Sequence, residues 1–481
     1  MTPFFVFQRL TSLALCSEHP GEEAVIYDVA IIGGGVVGCA ILRRFALGGA
    51  RAVLLERGAD ILSGASKGNS AILHTGFDAP PGSLELRCMC AGYAEYLEIR
   101  ARLNLPLLET GALVVAWNQD ELARLPAIVV QAHQNGVSDV EQIDGRDLYR
   151  REPRLGSGAM GAVWVPREHV VDPWSAPLAY ALQGLAHGGQ IQRGAEVQSG
   201  SFEAGIWQLT TSAGEVSART VINAAGLYGD LVERIHRPSP FKIKPRKGQF
   251  VVFDKTASGL VNSIVLPVPT DKTKGVLVCR TAFGNLLVGP TAEEQESRDA
   301  ATVDHDTLAD LIRTGRRLVP ALADHQVTAI YAGLRPATQF KDYQIEIGAE
   351  RRWITVAGIR STGLTAALGI ASYVAQLYTS NIAELADPSP LHWTPVPNLC
   401  EGLPRRHQEA GANEIVCHCE QVTREEIEVA LEGPLAAGSV GGLKRRTRCM
   451  MGRCQGFYCS ARVAEVVNGR LADLRVTPIV G

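Results

Sequence analysis

Apolar residues near the start of the chain form continuous runs whose lengths predict alternating strands and a helix. Tyr27 to Ile32 is an apolar, β-branched run, as expected for a buried strand. Val36 to Leu47 has helical character, and Ala52 to Leu55 is a second strand-like run. This order predicts a βαβ unit, so we expect an α/β fold.

The middle of the chain mixes further strands with longer helical stretches. The predicted strands are Gly111 to Trp117, Val221 to Ala224, Gln249 to Phe253, Asn285 to Val288 and Trp353 to Ala357. The predicted helices are Leu84 to Leu103, Thr302 to Leu318 and Ala366 to Tyr378. Lys247-Gly248-Gln249 is expected to belong to the sheet of a second, substrate-binding domain and is assigned no chemistry.

The pattern changes at both ends of the chain. Residues 1–26 are predicted to be a loosely packed extension and not a signal peptide, because the first residues carry no charge. Five prolines between Asp387 and Pro404 exclude a helix there, so residues 387–413 are predicted to be a linker that crosses the surface. Residues 27–386 then form the main body, and residues 414–481 a separate small module.

Composition adds two constraints. The net charge of −3 gives no indication of nucleic-acid binding, and no apolar run reaches the roughly 18 residues that span a bilayer. A chain of this length and cysteine spacing is not expected to hold a disulfide framework. The scattered cysteines are interpreted as small buried apolar residues: Cys16, Cys39, Cys88, Cys90, Cys279 and Cys400.

A glycine motif follows the first strand, in the sequence Gly33-Gly34-Gly35-Val36-Val37-Gly38. Gly33 allows a tight turn, Gly35 lets the backbone approach a pyrophosphate, and Gly38 lets the helix pack close to the sheet. Glu56 ends the second strand, where an acid binds ribose hydroxyls. With strand, helix and acid in place, a dinucleotide site is favoured over a plain glycine-rich turn.

Two later segments favour FAD over NAD as the dinucleotide. Val221 to Gly226 ends a strand with small residues, and Gly358 to Thr365 opens another helix. The N-terminus of that helix can face the electron-rich pyrimidine edge of a flavin and stabilise its reduced anion. The alternative is that both segments are ordinary strand exits.

These segments together resemble the D-amino-acid-oxidase superfamily of FAD enzymes, over roughly residues 27 to 385. The resemblance includes Ser63-Gly64-Ala65-Ser66 through Ala71-Ile72-Leu73-His74, and the motif order is similar to the glycerol-3-phosphate dehydrogenase branch and the neighbouring 2-hydroxyglutarate oxidases. It implies a Rossmann-like FAD-binding domain with an interleaved α+β substrate domain. The implied FAD contacts are Gly33, Gly35, Gly38, Glu56, Ser66, Ala225, Gly226, Gly358, Arg360, Gly363, Leu364 and Thr365.

His74 is the candidate catalytic base. Hydride transfer from a secondary alcohol needs a base for the hydroxyl proton, and histidine titrates in the right range. A lone histidine is more often structural, but the resemblance places the His74 region near the flavin.

Arg335 is the candidate anion-binding residue, because its planar fork suits a phosphate or carboxylate. A surface salt bridge is the alternative, and the resembling dehydrogenases use an arginine at this motif to hold an anionic substrate. Arg360 is expected to contact either the substrate or the flavin. Lys274 and Lys341 are weaker anion-binding candidates, for which solvated surface is the better interpretation.

The C-terminal module carries Cys417, Cys419, Cys449, Cys454 and Cys459. Four thiolates suffice for zinc or for a [2Fe-2S] cluster, and the spacing is unlike the paired C-x-x-C of a zinc ribbon. Thr423 to Glu426 forms a capping box that opens a helix to Leu431, and a last helix is predicted from Ser460 to Val467.

The module resembles the bacterioferritin-associated-ferredoxin-like [2Fe-2S] domain, a small and mostly helical unit. The resemblance makes Cys417, Cys419, Cys454 and Cys459 the ligands and Cys449 a bystander, although a Cys449–Cys454 pairing is equally spaced. The nearby basic residues could offset the cluster charge, form a docking face or be solvated: Lys444, Arg445, Arg446, Arg448 and Arg453.

The combined expectation is an FAD-dependent dehydrogenase of a small anionic secondary alcohol, with glycerol 3-phosphate oxidised to dihydroxyacetone phosphate as the leading reaction. Electrons would leave through the [2Fe-2S] cluster to a partner protein or a quinone. We expect a cytoplasmic location, with which peripheral attachment at the inner face of the membrane is compatible. The alternatives are an amino-acid, opine or 2-hydroxy-acid dehydrogenase, and a flavoprotein with a zinc-stabilised docking module.

Overall fold

A computed structural model describes residues 25–270, 275–386, 390–411 and 414–474. Cys16, Lys274 and nearly all of the N-terminal extension lie outside these residues. The strands are β1 (Ile26–Ile32), β2 (Ala52–Glu56), β3 (Ile72–Leu73), β4 (Leu107–Glu109), β5 (Ala112–Ala116), β6 (Glu141–Asp144), β7 (Gly161–Val165), β8 (His169–Val171), β9 (Gln190–Arg193), β10 (Val197–Glu203), β11 (Ile206–Thr211), β12 (Gly214–Asn223), β13 (Lys244–Phe253), β14 (Ile264–Pro267), β15 (Leu277–Arg280), β16 (Leu286–Gly289), β17 (Glu293–Glu294), β18 (Val327–Ala337), β19 (Gln344–Gly348), β20 (Trp353–Ala357), β21 (Ile415–Cys417) and β22 (Val422–Thr423).

The helices lie between these strands in chain order. They are α1 (Val36–Leu47), α2 (Leu84–Leu103), α3 (Gln119–Gln134), α4 (Gly145–Arg151), α5 (Ser175–Ala186), α6 (Gly229–Glu233), α7 (His305–Leu318), α8 (Gly363–Asn381), α9 (Arg424–Ala430), α10 (Val440–Thr447) and α11 (Ser460–Val467). None of the helices in the described part of the chain has the length and apolar character to cross a membrane.

The first sheet forms the base of a Rossmann-like domain. Its order is β10-β11-β12-β1-β2-β9, with β20 and β19 added beside β12. β1 lies parallel to both β12 and β2, so Ile31 is level with Ile222 and Leu54. All three side chains are fully buried beneath α1 and α8, which explains why β1 and β2 are continuous apolar runs.

The second sheet belongs to the substrate domain, and its order is β17-β13-β16-β15-β14-β5-β7-β6, with β18 beside β13. Its strands come from two stretches of chain, before β9 and after β12, so the two domains are interleaved as predicted. Apolar clusters cover both faces of this sheet, and α3 and α7 pack on it. The fold-class prediction is confirmed for the main body.

The C-terminal module is small and mostly helical, as predicted. The β21–β22 hairpin and α9, α10 and α11 enclose an apolar core that includes Val422, Ile427, Leu443 and Val463. The capping box is present, because Thr423 Oγ1 accepts from Glu426 N while the Glu426 carboxylate accepts from Thr423 N. The helix α10 was not predicted, because its two glycines and three consecutive basic residues conceal the apolar pattern.

The module packs against the main body through a buried ion pair. The Arg446 guanidinium donates to both oxygens of Asp60, each at 2.8 Å, and Asp60 is fully buried. Gly438 N also donates to Asp60, and Arg445 Nη2 donates to Ile61 O. The module therefore rests on the loop that follows Glu56, and in the described structure it is not a detached unit.

The linker differs from the sequence prediction in one respect. It is not helical between residues 390 and 404, but Val396, Leu399 and Cys400 are buried. Val396 N donates to Leu103 O, and Asn104 Nδ2 donates to Val396 O. The expectation of a segment that only crosses the surface was wrong, because apolar residues between the prolines pack onto the main body.

Most of the scattered cysteines follow the prediction. Cys39, Cys88, Cys279 and Cys400 are buried, and all the cysteines of the described residues are free. Cys90 is the exception, since it is exposed on α2. α2 is amphipathic, and Cys90 lies on its outer side although its neighbour Met89 is buried.

Candidate flavin and substrate site with a C-terminal cysteine centre

A cavity of about 1410 Å³ lies between the two domains. This exceeds the roughly 300–1,000 Å³ of an ordinary ligand pocket, and it can hold a dinucleotide together with a substrate. The predicted residues that line it are Gly33, Gly35, Glu56, Ser66, His74, Ala225, Gly226, Arg335, Gly358, Arg360, Gly363 and Leu364. Gly38 and Thr365 are not part of this lining.

The glycine motif opens α1 towards the cavity. Gly33 has φ +112°, and a Cβ there would lie 2.6 Å from Ala224 O, so the turn requires glycine. Gly38 contacts the sheet as predicted, since a Cβ on it would lie 1.9 Å from Gly33 O. Gly35 caps α1 without a side-chain hydrogen bond, which leaves N–H groups at the helix N-terminus available to a pyrophosphate.

Glu56 and Ser66 frame this turn. The two Glu56 oxygens accept from Gly34 N and Gly58 N, each at 2.7 Å, which fixes the carboxylate at the end of β2. Each carboxylate oxygen keeps a further lone pair that can accept a ribose hydroxyl. Ser66 Oγ accepts from Val36 N at 3.0 Å. The cavity volume, the helix N-terminus that faces the cavity and the placed acid all fit FAD.

The second helix N-terminus also meets the cavity. β20 ends just before Gly358, whose φ of +74° turns the chain towards α8. Thr362 precedes α8 without capping it, because its hydroxyl is bonded to Glu85 and Tyr343. Gly363, the first residue of α8, lines the cavity, as expected for a helix end that faces a flavin.

Thr365, a predicted FAD contact, holds the segment that carries His74. Its hydroxyl accepts from His74 N at 2.9 Å and donates to Ile72 O at 3.3 Å. The side chain is buried and fixes β3 against α8. Thr365 therefore positions the His74 backbone from behind the cavity wall.

His74 follows β3, lines the cavity and keeps 22% of its side chain exposed. Its Nδ1 lies 2.8 Å from Glu168 Oε2, and this leaves Nε2 for the cavity side. Sequence reasoning missed Glu168. The antiparallel register, in which Leu73 is level with His169, brings it to His74 across 94 residues of sequence, and no local motif indicates this pairing.

Arg335 lies on β18 in the cavity wall. Burial and the neighbouring Arg246 lower the pKa of its guanidinium to about 10, so it remains charged at neutral pH. Its hydrogen bonds go to one carbonyl, Thr291 O, at 3.3 Å from both terminal nitrogens. Among the residues that the structure describes, no carboxylate pairs with Arg335. A half-buried guanidinium that faces a cavity without a carboxylate partner is suited to an anionic ligand.

The guanidinium of Arg360 is less available to bind an anionic ligand than that of Arg335. Its Nη2 donates to Lys341 O, and it lies 3.6 Å from a carboxylate oxygen of Glu85. Lys341 also lines the cavity, which the interpretation as solvated surface did not anticipate.

Four cysteines of the C-terminal module lie close together. Burial, with Cys417 close by, raises the pKa of the Cys459 thiol to about 12, and the Cys419 and Cys454 thiols are likewise near each other. Cys417 and Cys459 are buried, whereas Cys419 and Cys454 are partly exposed. Within the described ranges, no three cysteine, histidine or acidic side chains converge as a site for one ion. Four thiols supply the ligand number of a [2Fe-2S] cluster.

The loop after Cys454 supports a thiolate. Backbone N–H groups, first that of Tyr458 and then those of Gly456 and Phe457, hold the pKa of the Cys454 thiol below its ordinary value. Backbone donors to ligand sulfurs are a standard means of tuning iron–sulfur clusters. The observed geometry therefore fits a [2Fe-2S] group.

Cys449 lies in the apolar core of the module and is fully buried. Burial raises the pKa of its thiol to about 12, and its backbone N–H donates to Thr447 Oγ1 at 3.1 Å. We expect Cys449→Ser to retain the cluster and Cys454→Ser to lose it. The cluster content of each variant is measured as iron and sulfide per protein, together with the visible absorbance spectrum. Loss of iron in Cys449→Ser but not in Cys454→Ser would contradict the ligand assignment.

The basic residues around the cysteines mostly serve internal contacts. Arg445 and Arg446 bind the main body, and Arg448 pairs with Glu420 at 2.8 Å. Arg453 is ion-paired with Asp254 of the substrate domain. The solvated-face interpretation is therefore wrong for Arg446 and Arg448, which are largely buried.

A Rossmann-like domain with a glycine cradle (Gly33 to Gly38), an interleaved substrate domain and a module of clustered cysteines define a two-centre redox flavoprotein. The family model described as "FAD dependent oxidoreductase" matches residues 28–377, and the chain belongs to this family. The model described as "BFD-like [2Fe-2S] binding domain" matches residues 415–468. FAD and a [2Fe-2S] cluster are thus its cofactors.

Individual relatives agree with this assignment. The chain is 32% identical to glycerol 3-phosphate dehydrogenase of Caloramator mitchellensis, over 93% of this chain and 95% of that protein. It is 28% identical to one subunit of the anaerobic glycerol-3-phosphate dehydrogenase of Escherichia coli K12, over 92% and 88%. The fold is similar to L-alpha-glycerophosphate oxidase from Mycoplasma pneumoniae with FAD bound, at TM-score 0.71 and 26% identity, covering 77% of this chain and 98% of the oxidase.

Proposed function

We propose that this protein is an FAD-dependent dehydrogenase that oxidises glycerol 3-phosphate to dihydroxyacetone phosphate. The main supporting observation is that one cavity is lined by the glycine cradle, by His74 and by Arg335. Arg335 has no carboxylate partner among the described residues. The same reaction type is named for the Caloramator and Escherichia coli relatives, with which this chain shares nearly its full length.

The chain's own residues have distinct tasks in this reaction. Arg335 binds the phosphate dianion and orients the glycerol backbone in the cavity. His74 Nε2 takes the proton of the secondary hydroxyl as the carbon–hydrogen bond breaks. Bound FAD supplies the acceptor for the hydride. The glycine cradle and Glu56 hold that cofactor from its pyrophosphate and ribose side.

The C-terminal module favours a dehydrogenase over an oxidase. The Mycoplasma pneumoniae oxidase is covered almost entirely by 77% of this chain, so about a quarter of this chain, more than the length of the module, has no counterpart there. A [2Fe-2S] cluster passes one electron at a time, which suits a protein or quinone acceptor. We infer that the acceptor is a partner protein, since the Escherichia coli relative is named as one subunit of an enzyme. Cytoplasmic location and peripheral membrane attachment remain predictions.

An anaerobic substrate panel tests the reaction. The holoprotein is mixed with glycerol 3-phosphate, glycerol, 2-hydroxyglutarate, glycine or proline, and flavin bleaching is followed. We expect bleaching by glycerol 3-phosphate and little by glycerol, which lacks the phosphate for Arg335. Bleaching by an amino acid or a 2-hydroxy acid, with none by glycerol 3-phosphate, would overturn the substrate assignment.

A further inference from the structure

Glu168 is a fully buried carboxylate at the back of the catalytic cavity. Its Oε1 accepts from Thr75 N at 2.5 Å and from Thr75 Oγ1 at 2.8 Å. Its Oε2 lies 2.8 Å from His74 Nδ1. Both carboxylate oxygens of Glu168 thus contact the His74–Thr75 segment, which carries the candidate base.

The charges around Glu168 leave His74 as its ionic partner. Within the described residues, no lysine or arginine forms an ion pair with Glu168. Arg167, its chain neighbour, instead makes a two-pronged contact with Asp139. The other titratable groups of this region are Tyr93, His169, Glu109 and Arg100. Burying a carboxylate without a partner costs folding free energy. The position of Glu168 opposite the His74 imidazole therefore indicates a specific role for this carboxylate.

The imidazole is held from two directions. Thr365 Oγ1 accepts from His74 N at 2.9 Å, which fixes the backbone. Glu168 fixes the ring, because a carboxylate can only accept, and Nδ1 must then carry the proton. The other nitrogen, Nε2, is left unprotonated on the cavity side, where a substrate hydroxyl can reach it.

We propose that Glu168 is a positioning residue that sets the His74 tautomer and stabilises the imidazolium formed during catalysis. The inference rests on the proposed function, in which His74 is the base. When the alcohol is oxidised, its hydroxyl proton moves to His74 Nε2 and its carbon-bound hydride moves to FAD. Glu168 remains ionised throughout, and the proton leaves Nε2 for solvent after the ketone departs.

Glu168→Gln tests this role because the amide keeps the size of the side chain and removes its charge. We expect the limiting rate of flavin reduction by glycerol 3-phosphate to fall about 10- to 1,000-fold, with KM and FAD content little changed. A merely structural carboxylate would lower the stability and leave both the limiting rate and the His74 tautomer of the folded holoprotein unchanged.

Two comparisons keep the inference separable from the proposed function. If His74→Ala slows reduction while Glu168→Gln has a normal limiting rate, the positioning role is overturned and the base assignment stands. If His74→Ala reduces at the normal rate, the base assignment itself fails. If Glu168→Gln does not fold, the His74 tautomer can still be measured by NMR in the unmodified holoprotein with ¹⁵N-labelled histidine. Protonation of His74 at Nδ1 supports the inference, and protonation at Nε2 in the neutral ring overturns it.

Discussion

His74→Ala is expected to slow flavin reduction by glycerol 3-phosphate by about 10²- to 10⁴-fold, the usual contribution of a positioned base. The alcohol proton would then have to leave to water in a cavity whose walls are largely apolar. The methyl group of alanine leaves the Thr365 contact intact, because that contact is made by the backbone N–H of residue 74. We therefore expect FAD content and substrate binding to change little.

Anaerobic stopped-flow absorbance measures this rate directly, since the flavin bleaches as it is reduced. His305→Ala is the matched control, because His305 is 95% exposed at the start of α7 and does not line the cavity. Reduction by dithionite gives a second control, as it needs no base. A substrate-driven rate equal to that of the unmodified protein would remove His74 from the mechanism.

The parts of the fold that sequence reasoning predicted are governed by local patterns. α1 begins and ends at Val36 and Leu47 as predicted, because a glycine turn precedes it, Gly48 follows it, and the run between them is apolar and almost wholly buried. α2 and α11 also have the predicted bounds. The Thr423–Glu426 capping box is another local signal, and both of its reciprocal bonds are present.

The features that were missed depend on tertiary pairing. Glu168 reaches His74 only because β8 pairs with β3, and no spacing in the sequence encodes that register. The Asp60–Arg446 pair joins residues 386 positions apart. The sequence shows that Asp60 and Arg446 are charged, but it does not show that they form a buried ion pair.

The position of that ion pair links the two redox centres. Asp60 is four residues after Glu56, the predicted ribose-binding acid. It lies on the loop that begins where β2 ends. Arg446 belongs to α10, two residues before the Arg448–Cys449 segment of the cysteine module. The cluster-bearing module is thus anchored to the cofactor-binding loop, an arrangement suited to electron transfer between fixed centres.

Arg335→Ala should weaken substrate binding by about 30-fold to several thousand-fold, which corresponds to the roughly 2–5 kcal/mol of a buried charge-assisted pair. The guanidinium lies in the cavity wall with no carboxylate partner among the described residues, so the phosphate is its natural counter-ion. Arg335→Lys keeps the charge and loses the two-pronged geometry, and it should fall between alanine and the native residue.

Substrate affinity is measured from the rate of flavin reduction against glycerol 3-phosphate concentration, and FAD affinity from fluorescence during cofactor release. Arg313→Ala is the control, since Arg313 is an exposed residue of α7 paired only within its own helix. We expect FAD affinity to stay within about twofold in both Arg335 variants, because the cofactor cradle is built from other elements. Equal losses of FAD and substrate would mean that Arg335 supports the cavity as a whole, and the anion-binding role would then be wrong.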